Sequence, residues 1–498
     1  MPMNRAEEIF QLRTEMMTSG EDGDNPIPRK KTFDILSSII RPTVNAILVK
    51  GEPGAGKTTF ALELLRAYGK GVYVSTRVSE DQLSDQHPYF KELIDRGEVV
   101  DIRSDQQLQV KNVIKFEDLR LASAQDIVEI ILQNVTKVWK PLILLDSWDA
   151  IAKELDTVER LKVEKSILLI VVQNKAKILF VSEEPNLTTT DYLVDAVVNL
   201  RSATFDERRV RRIEINKLRG TAITQPSFLY SLDKARFTLF PSPSIKTQDD
   251  YDPKPFKGIQ HHETKYSTGS EDLDKFLGGG IAPGSIIVLE LGRFVGSFWQ
   301  SSLVLSICNN FLANGGCVAS LPSGGVSPSI VDRTLKAHIS NHILDSSLRI
   351  ASFSETYEPH TFALDTSSVI RSFEIYFKEA MKMKRTRVAK YDMPETGRPC
   401  FYPMGMDAAE SFFSSEDIIK LSLLGIQSIR QFNDVAMMIV RAGTRSKQVL
   451  SDRADLHLKL EEVERSLVLY SVKPPSDLYN VQYDYRGGFP KVKLTPLV

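Results

Sequence analysis

The sequence has little cysteine, no excess charge of either sign and no long apolar segment. Only three of its 498 residues are cysteines, Cys308, Cys317 and Cys400, too few and too scattered for a disulfide framework or a zinc site. The formal charge is −1, because 63 Lys and Arg face 64 Asp and Glu, so no global field draws the chain to nucleic acid or to an anionic membrane. These absences favour a reducing compartment over a secreted setting.

Membrane segments are not expected either. The longest apolar stretches, such as residues 167–172 (ILLIVV), fall far short of the ~20 residues that a membrane span needs. They have the length of buried parallel strands. The first residues, MPMNRAEEIFQLRTEMM, are amphipathic and charged and lack the apolar core of a signal peptide. We therefore expect a cytoplasmic protein that does not enter a membrane.

The pattern of apolar runs predicts two α/β domains. Residues 1–31 are predicted to form an N-terminal helix and a flexible entry, and residues 241–263, with four prolines and an acidic run, an interdomain linker. In residues 32–240 and 264–498, apolar runs alternate with helical patterns, which is typical of α/β domains with a parallel sheet.

The two predicted domains also resemble each other. Three landmarks occur in the same order in both, residues 45–65 and 285–305, 144–146 and 405–407, and 195–200 and 455–460. The offset between the copies grows by about twenty residues after the first landmark, which indicates a duplicated domain with an insertion in its second copy. The alternative is that α/β domains in general look alike at this level.

The strongest motif is residues 51–59, GEPGAGKTT, which satisfies the phosphate-binding pattern G-x-x-x-x-G-K-[ST] between an apolar strand and a helix. Glycines let the backbone curl so that its N–H groups point at phosphate oxygens. We expect Lys57 to reach the β- and γ-phosphates and the Thr58 hydroxyl to ligate Mg²⁺. The motif therefore predicts ATP and Mg²⁺ as cofactors, bound by Gly51, Glu52, Pro53, Gly54, Ala55, Gly56, Lys57, Thr58 and Thr59.

A nucleotide site of this class needs an acidic partner for the metal. Residues 141–146, PLILLD, form an apolar strand that ends in Asp146, as a Walker B element does. We predict Asp146 as the second metal-binding residue beside Thr58. The alternative is that Asp146 caps the next element, since Asp-Ser often begins a helix.

Further segments extend these motifs into a family pattern: residues 176–185 (AKILFVSEEP), 192–200 (YLVDAVVNL) and 211–221 (RRIEINKLRGT). Together they cover residues 32–240, and the chain resembles the RecA-type ATPases of the KaiC family, especially the archaeal branch that contains the gas-vesicle regulator GvpD. Residues 266–287 are similar to the family's opening. The resemblance implies two tandem RecA-like P-loop domains in a regulatory ATPase that acts through partner proteins.

The K-L-R-G segment in such proteins tends to face a nucleotide that the neighbouring subunit holds. The resemblance therefore implies that Lys217 and Arg219 contact the nucleotide in trans, within a homo-oligomer such as a ring or a dimer. The alternative is a solvated hairpin edge, where Lys and Arg are common.

The chain departs from the family at the catalytic carboxylates. The family's strand after the P-loop helix usually ends in a pair of glutamates, one of which activates the attacking water. Here residues 71–76 are followed by Arg77 and Val78, and an Arg cannot take a proton from water at neutral pH. No catalytic base is therefore assigned. Glu183 is the first candidate, and slow hydrolysis is expected.

The second copy departs further. Where the motif needs G-K-[ST], the chain has Ser297, Phe298 and Trp299. The Walker B counterpart carries Pro403, a residue that central strands avoid, and the K-L-R-G counterpart reads V-K-P-P. We predict a degenerate nucleotide site in a pseudo-ATPase domain that serves as a scaffold or a binding surface.

Two local clusters of basic residues occur although the net charge of the chain is close to zero. One contains Arg208, Arg209, Arg211 and Arg212, and the segment 378–390 contains Lys378, Lys382, Lys384, Arg385, Arg387 and Lys390. The second cluster, which falls in the inserted region of the second domain, is either a contact for nucleic acid or an acidic partner protein, or a solvated helix face and mobile loop. Two alternatives to a slow regulatory ATPase therefore stay open: a DNA-repair accessory factor of the recombinase-paralogue type, and a scaffold that binds ATP without hydrolysing it.

Overall fold

The computed structural model describes residues 35–36, 39–95, 114–118, 123–243, 250–354, 358–386 and 397–498. The helix and entry predicted for residues 1–31 lie outside these ranges, as do Arg387 and Lys390 of the second basic cluster. The chain divides into two compact units, Met1–Pro241 with Leu497–Val498, and Ser242–Pro496.

The first unit is built on one sheet, which has nine strands over the residues that are described. The strands are β1 (Ala46–Gly51), β2 (Gly71–Ser75), β3 (Ile114–Asp118), β4 (Leu142–Asp146), β5 (Lys177–Ser182), β6 (Ala196–Phe205), β7 (Arg208–Leu218), β8 (Ser227–Ser231) and β9 (Thr238–Phe240). They run in the order β3-β2-β4-β5-β1-β6-β7-β8-β9. The strands from β3 to β6 in this order are parallel, and β7, β8 and β9 add antiparallel hairpins.

Helices cover both faces of this sheet, which explains why its parallel strands are continuous apolar runs. The helices are α1 (Lys57–Tyr68), α2 (Glu80–Gln86), α3 (Pro88–Asp95), α4 (Ala124–Lys137), α5 (Asp149–Ala152), α6 (Thr157–Gln173) and α7 (Thr189–Leu193). Two apolar clusters form the core, one around Phe60 and Leu144 and the other around Trp148 and Phe180.

The parallel register fixes where the predicted site residues meet. β1 lies between β5 and β6, and β4 lies between β2 and β5. Because parallel strands all end at the same edge of the sheet, the segments that follow β1, β2, β4 and β5 converge there. The phosphate motif, Arg77 and Glu183 lie in these segments, and Asp146 is the last residue of β4 itself.

The second unit has its own sheet. Its strands are β10 (Ile286–Leu291), β11 (Cys317–Ser320), β12 (Leu348–Ser352), β13 (Thr361–Ala363), β14 (Cys400–Gly405), β15 (Val435–Arg441), β16 (Leu456–Val463), β17 (Ser466–Lys473), β18 (Tyr479–Asp484) and β19 (Lys491–Pro496). Its helices are α8 (Glu271–Phe276), α9 (Ser297–Ala313), α10 (Pro328–Lys336), α11 (Asn341–Ser347), α12 (Val369–Arg385), α13 (Met406–Ala409), α14 (Ser415–Gln431) and α15 (Lys447–Arg453).

The two sheets share one topology, as the internal repeat predicts. The second sheet has the order β13-β12-β11-β14-β15-β10-β16-β17-β18-β19, which matches the first strand for strand once the extra edge strand β13 is set aside. Thus β10 corresponds to β1, β11 to β2, β14 to β4 and β15 to β5. The fold is therefore two tandem α/β domains of the RecA-like P-loop type, the second with a degenerate loop.

The predicted linker over residues 241–263 is shorter than the sequence indicates. The Phe256 ring packs against Phe489 with a centroid separation of 4.6 Å. The backbone N–H of Ile259 donates to Oδ1 of Asn310 at 2.8 Å, and the amide of Asn310 donates back to the Ile259 carbonyl at 3.1 Å. Apolar and amide contacts therefore hold this part of the chain on the second unit, which extends N-terminal to residue 264.

Candidate nucleotide-binding site

The phosphate motif is a loop between β1 and α1 whose glycines are required for two different reasons. Gly54 and Gly56 have φ angles of 76° and 86°, in the left-handed region that other residues rarely adopt. At Gly51 a Cβ atom would lie 2.6 Å from the carbonyl oxygen of Leu200 on β6. The loop therefore keeps the curled backbone that phosphate binding needs and packs closely on the neighbouring strand.

Lys57 lies inside this loop. Its Nζ donates to the carbonyl oxygens of Gly51 at 2.7 Å and Glu52 at 3.0 Å. Burial lowers the pKa of Lys57, although the carboxylates of Glu183 and Asp146 act in the opposite direction. The loop thus carries a cation that its own backbone orients.

Thr58 and Asp146 meet at one point, as the sequence predicts. The Thr58 hydroxyl donates to Oδ2 of Asp146 at 2.7 Å, and the Tyr73 hydroxyl donates to the same oxygen at 2.7 Å. These oxygens suit Mg²⁺, which binds to proteins through one or two carboxylates and completes its shell with water and phosphate oxygens. Over the described part of the chain, no group of three or more His, Cys, Asp or Glu gathers as a metal site. The hydroxyl and carboxylate of this pair are the protein ligands that a metal shared with a nucleotide would use.

The carboxylate of Glu183 is held by Arg77. Nη1 of Arg77 donates to Oε1 of Glu183 at 2.6 Å. This hydrogen bond keeps the pKa of Glu183 below its usual range. Both side chains line a cavity of about 370 Å³ together with Lys57, Thr58 and Asp146. The sheet edge therefore brings the candidate base to the predicted site and places a cation on it.

Three further residues support the site through contacts that the sequence motifs do not indicate. One is Tyr73, described above, whose pKa is raised by burial well above its usual value. The second is Asp149, which is buried and accepts hydrogen bonds from Oγ of Ser182 at 2.9 Å and from the backbone N–H of Glu183. The sequence could have indicated Asp149, because it is the second carboxylate of the segment D-S-W-D, which begins at the last residue of β4. Asp149 fixes the end of β5, from which Glu183 projects.

The third is Arg211, which the sequence places in a basic cluster. Its side chain is buried, and Nη1 donates to the carbonyl oxygen of Gly54 at 2.8 Å. Burial lowers the pKa of Arg211 from its ordinary value. Arg211 therefore supports the phosphate loop from β7 and is not part of a free basic surface.

Comparison with known proteins agrees with this geometry. The family model described as "GvpD gas vesicle protein, P-loop domain" matches residues 40–217, and the one described as "GvpD basic region 2" matches residues 250–382. Together they take in more than half of the chain. The chain belongs to the GvpD-like branch of the KaiC and RecA-type P-loop proteins.

Individual relatives support the same family. "Protein GvpD2" of Halobacterium salinarum is 27% identical over 480 residues, which is 91% of this chain and 93% of that protein. "Protein GvpD1" of the same organism is 24% identical over 518 residues, or 91% of this chain and 94% of that protein. "Circadian clock oscillator protein KaiC" of a Picosynechococcus species is 25% identical over 264 residues, about half of each chain.

The second unit of this GvpD-like chain keeps the loop but not its chemistry. Asp407, the counterpart of Asp146, accepts hydrogen bonds from the Ser323 hydroxyl at 2.7 and 2.8 Å and from the N–H of Gly324 at 3.0 Å. Its Oδ2 also lies 3.5 Å from Nε of Arg441. The residue that would hold the metal is thus already bound within the unit.

Arg441 also occupies the degenerate loop itself. Its guanidinium donates to the carbonyl oxygen of Val295 at 3.3 Å and to Oε1 of Gln300 at 3.1 Å. Val295 belongs to the loop and Gln300 to the first turn of α9. A cation from the end of β15 therefore pairs with Asp407, whereas Asp146 in the first unit accepts hydrogen bonds from the hydroxyls of Thr58 and Tyr73.

Lys217 and Arg219 bond within the first unit. Nζ of Lys217 donates to the carbonyl oxygens of Asp191 at 2.9 Å and Tyr192 at 3.1 Å, and Nη1 of Arg219 bonds to Oδ1 of Asp195 at 3.2 Å. Neither residue is among those that line the cavity at the phosphate loop in the described part of the unit. A contact with a neighbouring subunit stays a prediction.

The segment 378–390 is not uniformly basic, which corrects the sequence-based interpretation. Lys384 is buried and forms an ion pair with Asp434, and Lys382 pairs with Glu379. The reason is helical geometry, because the buried face of α12 carries Tyr376, Ala380, Met383 and Lys384. Lys378 and Arg385 remain on the exposed side.

No helix in the described ranges has both the length and the apolar content that crossing a membrane would require. The three cysteines are buried and form no disulfide.

Proposed function

We propose that this GvpD-like protein binds one Mg·ATP per chain at the phosphate loop of its first unit. The observation that carries the proposal is the meeting of Thr58 and Asp146 at 2.7 Å beside Lys57. Loop amides would surround the β- and γ-phosphates, Lys57 would exchange its two carbonyl partners for phosphate oxygens, and Thr58 and Asp146 would hold Mg²⁺. Bound magnesium supplies charge neutralisation on the phosphates.

We propose that hydrolysis is slow because the one candidate base is a poor one. Asp146 and Glu183 are the carboxylates of the described cavity lining, and Asp146 is assigned to the metal. A general base works best with a pKa near the working pH, whereas the bond from Arg77 lowers the pKa of Glu183. ATP binding, rather than rapid turnover, would then be the regulatory event. The same ion pair makes a non-hydrolysing ATP scaffold the second candidate.

The proposed partner is a regulatory protein in the cytoplasm. Because the matched family is described as a gas vesicle protein, we propose that this partner belongs to gas-vesicle formation. A DNA-repair role is disfavoured for two reasons. The net charge is −1, and each basic cluster has a buried member, Arg211 in one and Lys384 in the other. Assembly into a ring or dimer through Lys217 and Arg219 remains part of the proposal.

Calorimetric titration with and without Mg²⁺ tests the metal assignment. Asp146→Asn should abolish the gain in ATP affinity that Mg²⁺ gives, because the amide removes the anionic ligand. Asp81→Asn is the matched control, since Asp81 is an exposed carboxylate on α2. An unchanged Mg²⁺ dependence in Asp146→Asn would refute the assignment.

A further inference from the structure

The second unit contains a cavity that begins beside the start of α9, the counterpart of α1, and extends along this helix to Asn309. We propose that it binds a small aromatic anion with a single negative charge and an N–H or O–H donor. The cavity has a volume of about 610 Å³, against about 370 Å³ at the phosphate loop of the first unit. That volume lies within the range of ordinary small-molecule sites.

Corresponding elements line the two cavities. Ser297 and Phe298 begin α9 as Lys57 begins α1, and Ile330 and Arg333 lie on α10 as Leu83 and Gln86 lie on α2. Tyr485 directly follows β18, and its counterpart Leu232 directly follows β8. The duplicated fold has therefore kept a cavity beside the start of this helix, but the second lining includes neither Asp407 nor Arg441.

The changed lining is unsuited to a polyphosphate. Phe298 stands where the first unit has Lys57, and Arg441 already neutralises Asp407 outside the cavity lining. The second unit therefore offers no motif lysine for the phosphates of a triphosphate, and its Asp407 is not free to bind the metal.

The lining suits a single negative charge on an apolar body. Arg333 is the one charged residue among the described residues that line the cavity, and no ion pair or hydrogen bond of its guanidinium occurs in the described chain. Aromatic rings of Phe298, Tyr251 and Tyr485 contribute apolar surface, and the rings of Tyr251 and Tyr485 have centroids 5.1 Å apart. An anion paired with Arg333 could lie with its rings against these side chains.

Asn309 supplies the second independent observation. It lines the cavity from α9, its side chain is only 2% exposed, and its Oδ1 has no hydrogen-bond partner among the residues that the structure describes. A buried acceptor without a partner is costly, and most such groups are satisfied by protein, water or ligand. A donor on the ligand would satisfy Oδ1, which is why the proposed class includes an N–H or O–H group.

The test uses 8-anilinonaphthalene-1-sulfonate as the probe, because it combines aromatic rings, one sulfonate and one N–H. Fluorescence titration of the full chain should show saturable binding of one probe per chain. Ser301→Trp, which fills the cavity, should abolish it, and Arg333→Met should weaken it about tenfold. Arg453→Met, which removes a cation on α15, is the matched control and should leave the affinity unchanged. Far-ultraviolet circular dichroism and the urea denaturation midpoint of the second unit verify that each variant is folded.

Asn309→Leu separates a ligand contact from a structural role. Because its Oδ1 has no partner in the described part of the second unit, the substitution should lower the affinity for the probe without lowering the denaturation midpoint. A lower midpoint with unchanged probe affinity would overturn the role given to Asn309.

Three outcomes would overturn the proposal itself. One is the absence of saturable binding. Another is loss of binding in Ser422→Trp rather than Ser301→Trp, because Ser422 lines a separate apolar cavity that α12 and α14 help to line. The third is displacement of the probe by ATP in a Lys57→Ala chain, which would make this a second nucleotide site.

Discussion

Arg77 Nη1 donates to Oε1 of Glu183 at 2.6 Å in the cavity that also contains Lys57 and Asp146. Arg77 follows β2, where the KaiC family usually carries the glutamates that activate water. Arg77, which stands in place of the usual catalytic base, therefore also binds Glu183, the remaining candidate for that base. Under the proposed function, this ion pair would account for a site that binds ATP and hydrolyses it slowly.

Arg77→Gln should raise the rate of ATP hydrolysis about tenfold, because it frees Glu183 to act as a general base. Phosphate release under saturating Mg·ATP measures the rate. The double variant Arg77→Gln with Glu183→Gln should return to the basal rate, and Arg201→Gln, which breaks an exposed pair with Glu214, should have no effect. An unchanged rate in Arg77→Gln, with ATP affinity intact, would remove Glu183 from the mechanism.

Arg211→Ala should weaken ATP binding about tenfold, because the carbonyl oxygen of Gly54 loses a charged donor and the loop loses its support from β7. Arg209→Ala is the matched control, since Arg209 is an exposed member of the same cluster. Calorimetry with both variants decides the matter. Equal affinities in the two would mean that Arg211 belongs to a surface cluster after all.

Lys384→Met should destabilise the second unit strongly. Burial raises the pKa of Asp434 to about 6, so at pH 7.5 its carboxylate is charged and depends on Lys384. Removing one partner of a buried pair typically costs ~3–5 kcal/mol, whereas loss of an exposed pair costs ~1 kcal/mol or less. Urea denaturation of Lys384→Met and Lys382→Met should show this contrast. Similar midpoints in the two variants would contradict it.

If Lys217 and Arg219 contact the nucleotide of a neighbouring subunit, assembly should depend on nucleotide. A ligand that two subunits contact stabilises the associated state, so Mg·ATP should raise the sedimentation coefficient relative to ADP or no nucleotide. For this, Arg219 must exchange Asp195 for phosphate. Arg219→Ala should then lose both the assembly and part of the hydrolysis rate. A monomer under all three conditions, with unchanged hydrolysis in Arg219→Ala, would show that these residues serve only their own subunit.

Contiguous motifs could be predicted from the sequence, and contacts between distant segments could not. The phosphate loop and Asp146 each lie at the end of one apolar strand, so their place at the sheet edge follows from local pattern. Tyr73 and Arg211 reach the site from β2 and β7. Their roles depend on strand order, and nothing near them in the sequence indicates it.

The second unit shows the same limit. In the sequence, Phe298 stands where the motif needs lysine, and this replacement predicts a degenerate loop. The occupation of that loop by Arg441 is not visible, because Arg441 lies 34 residues after Asp407 and meets it only through the order of β14 and β15. Lys384 was predictable in principle, since it falls eight residues after Tyr376 on the buried face of α12.

The proposed function requires one nucleotide site per chain, in the first unit. Calorimetric titration of this chain with ATP and Mg²⁺ counts the sites. We expect one ATP per chain, none after Lys57→Ala, and still one after Arg441→Ala, which opens the degenerate loop without restoring its lysine. Two ATP molecules per chain, or binding that survives Lys57→Ala, would contradict it.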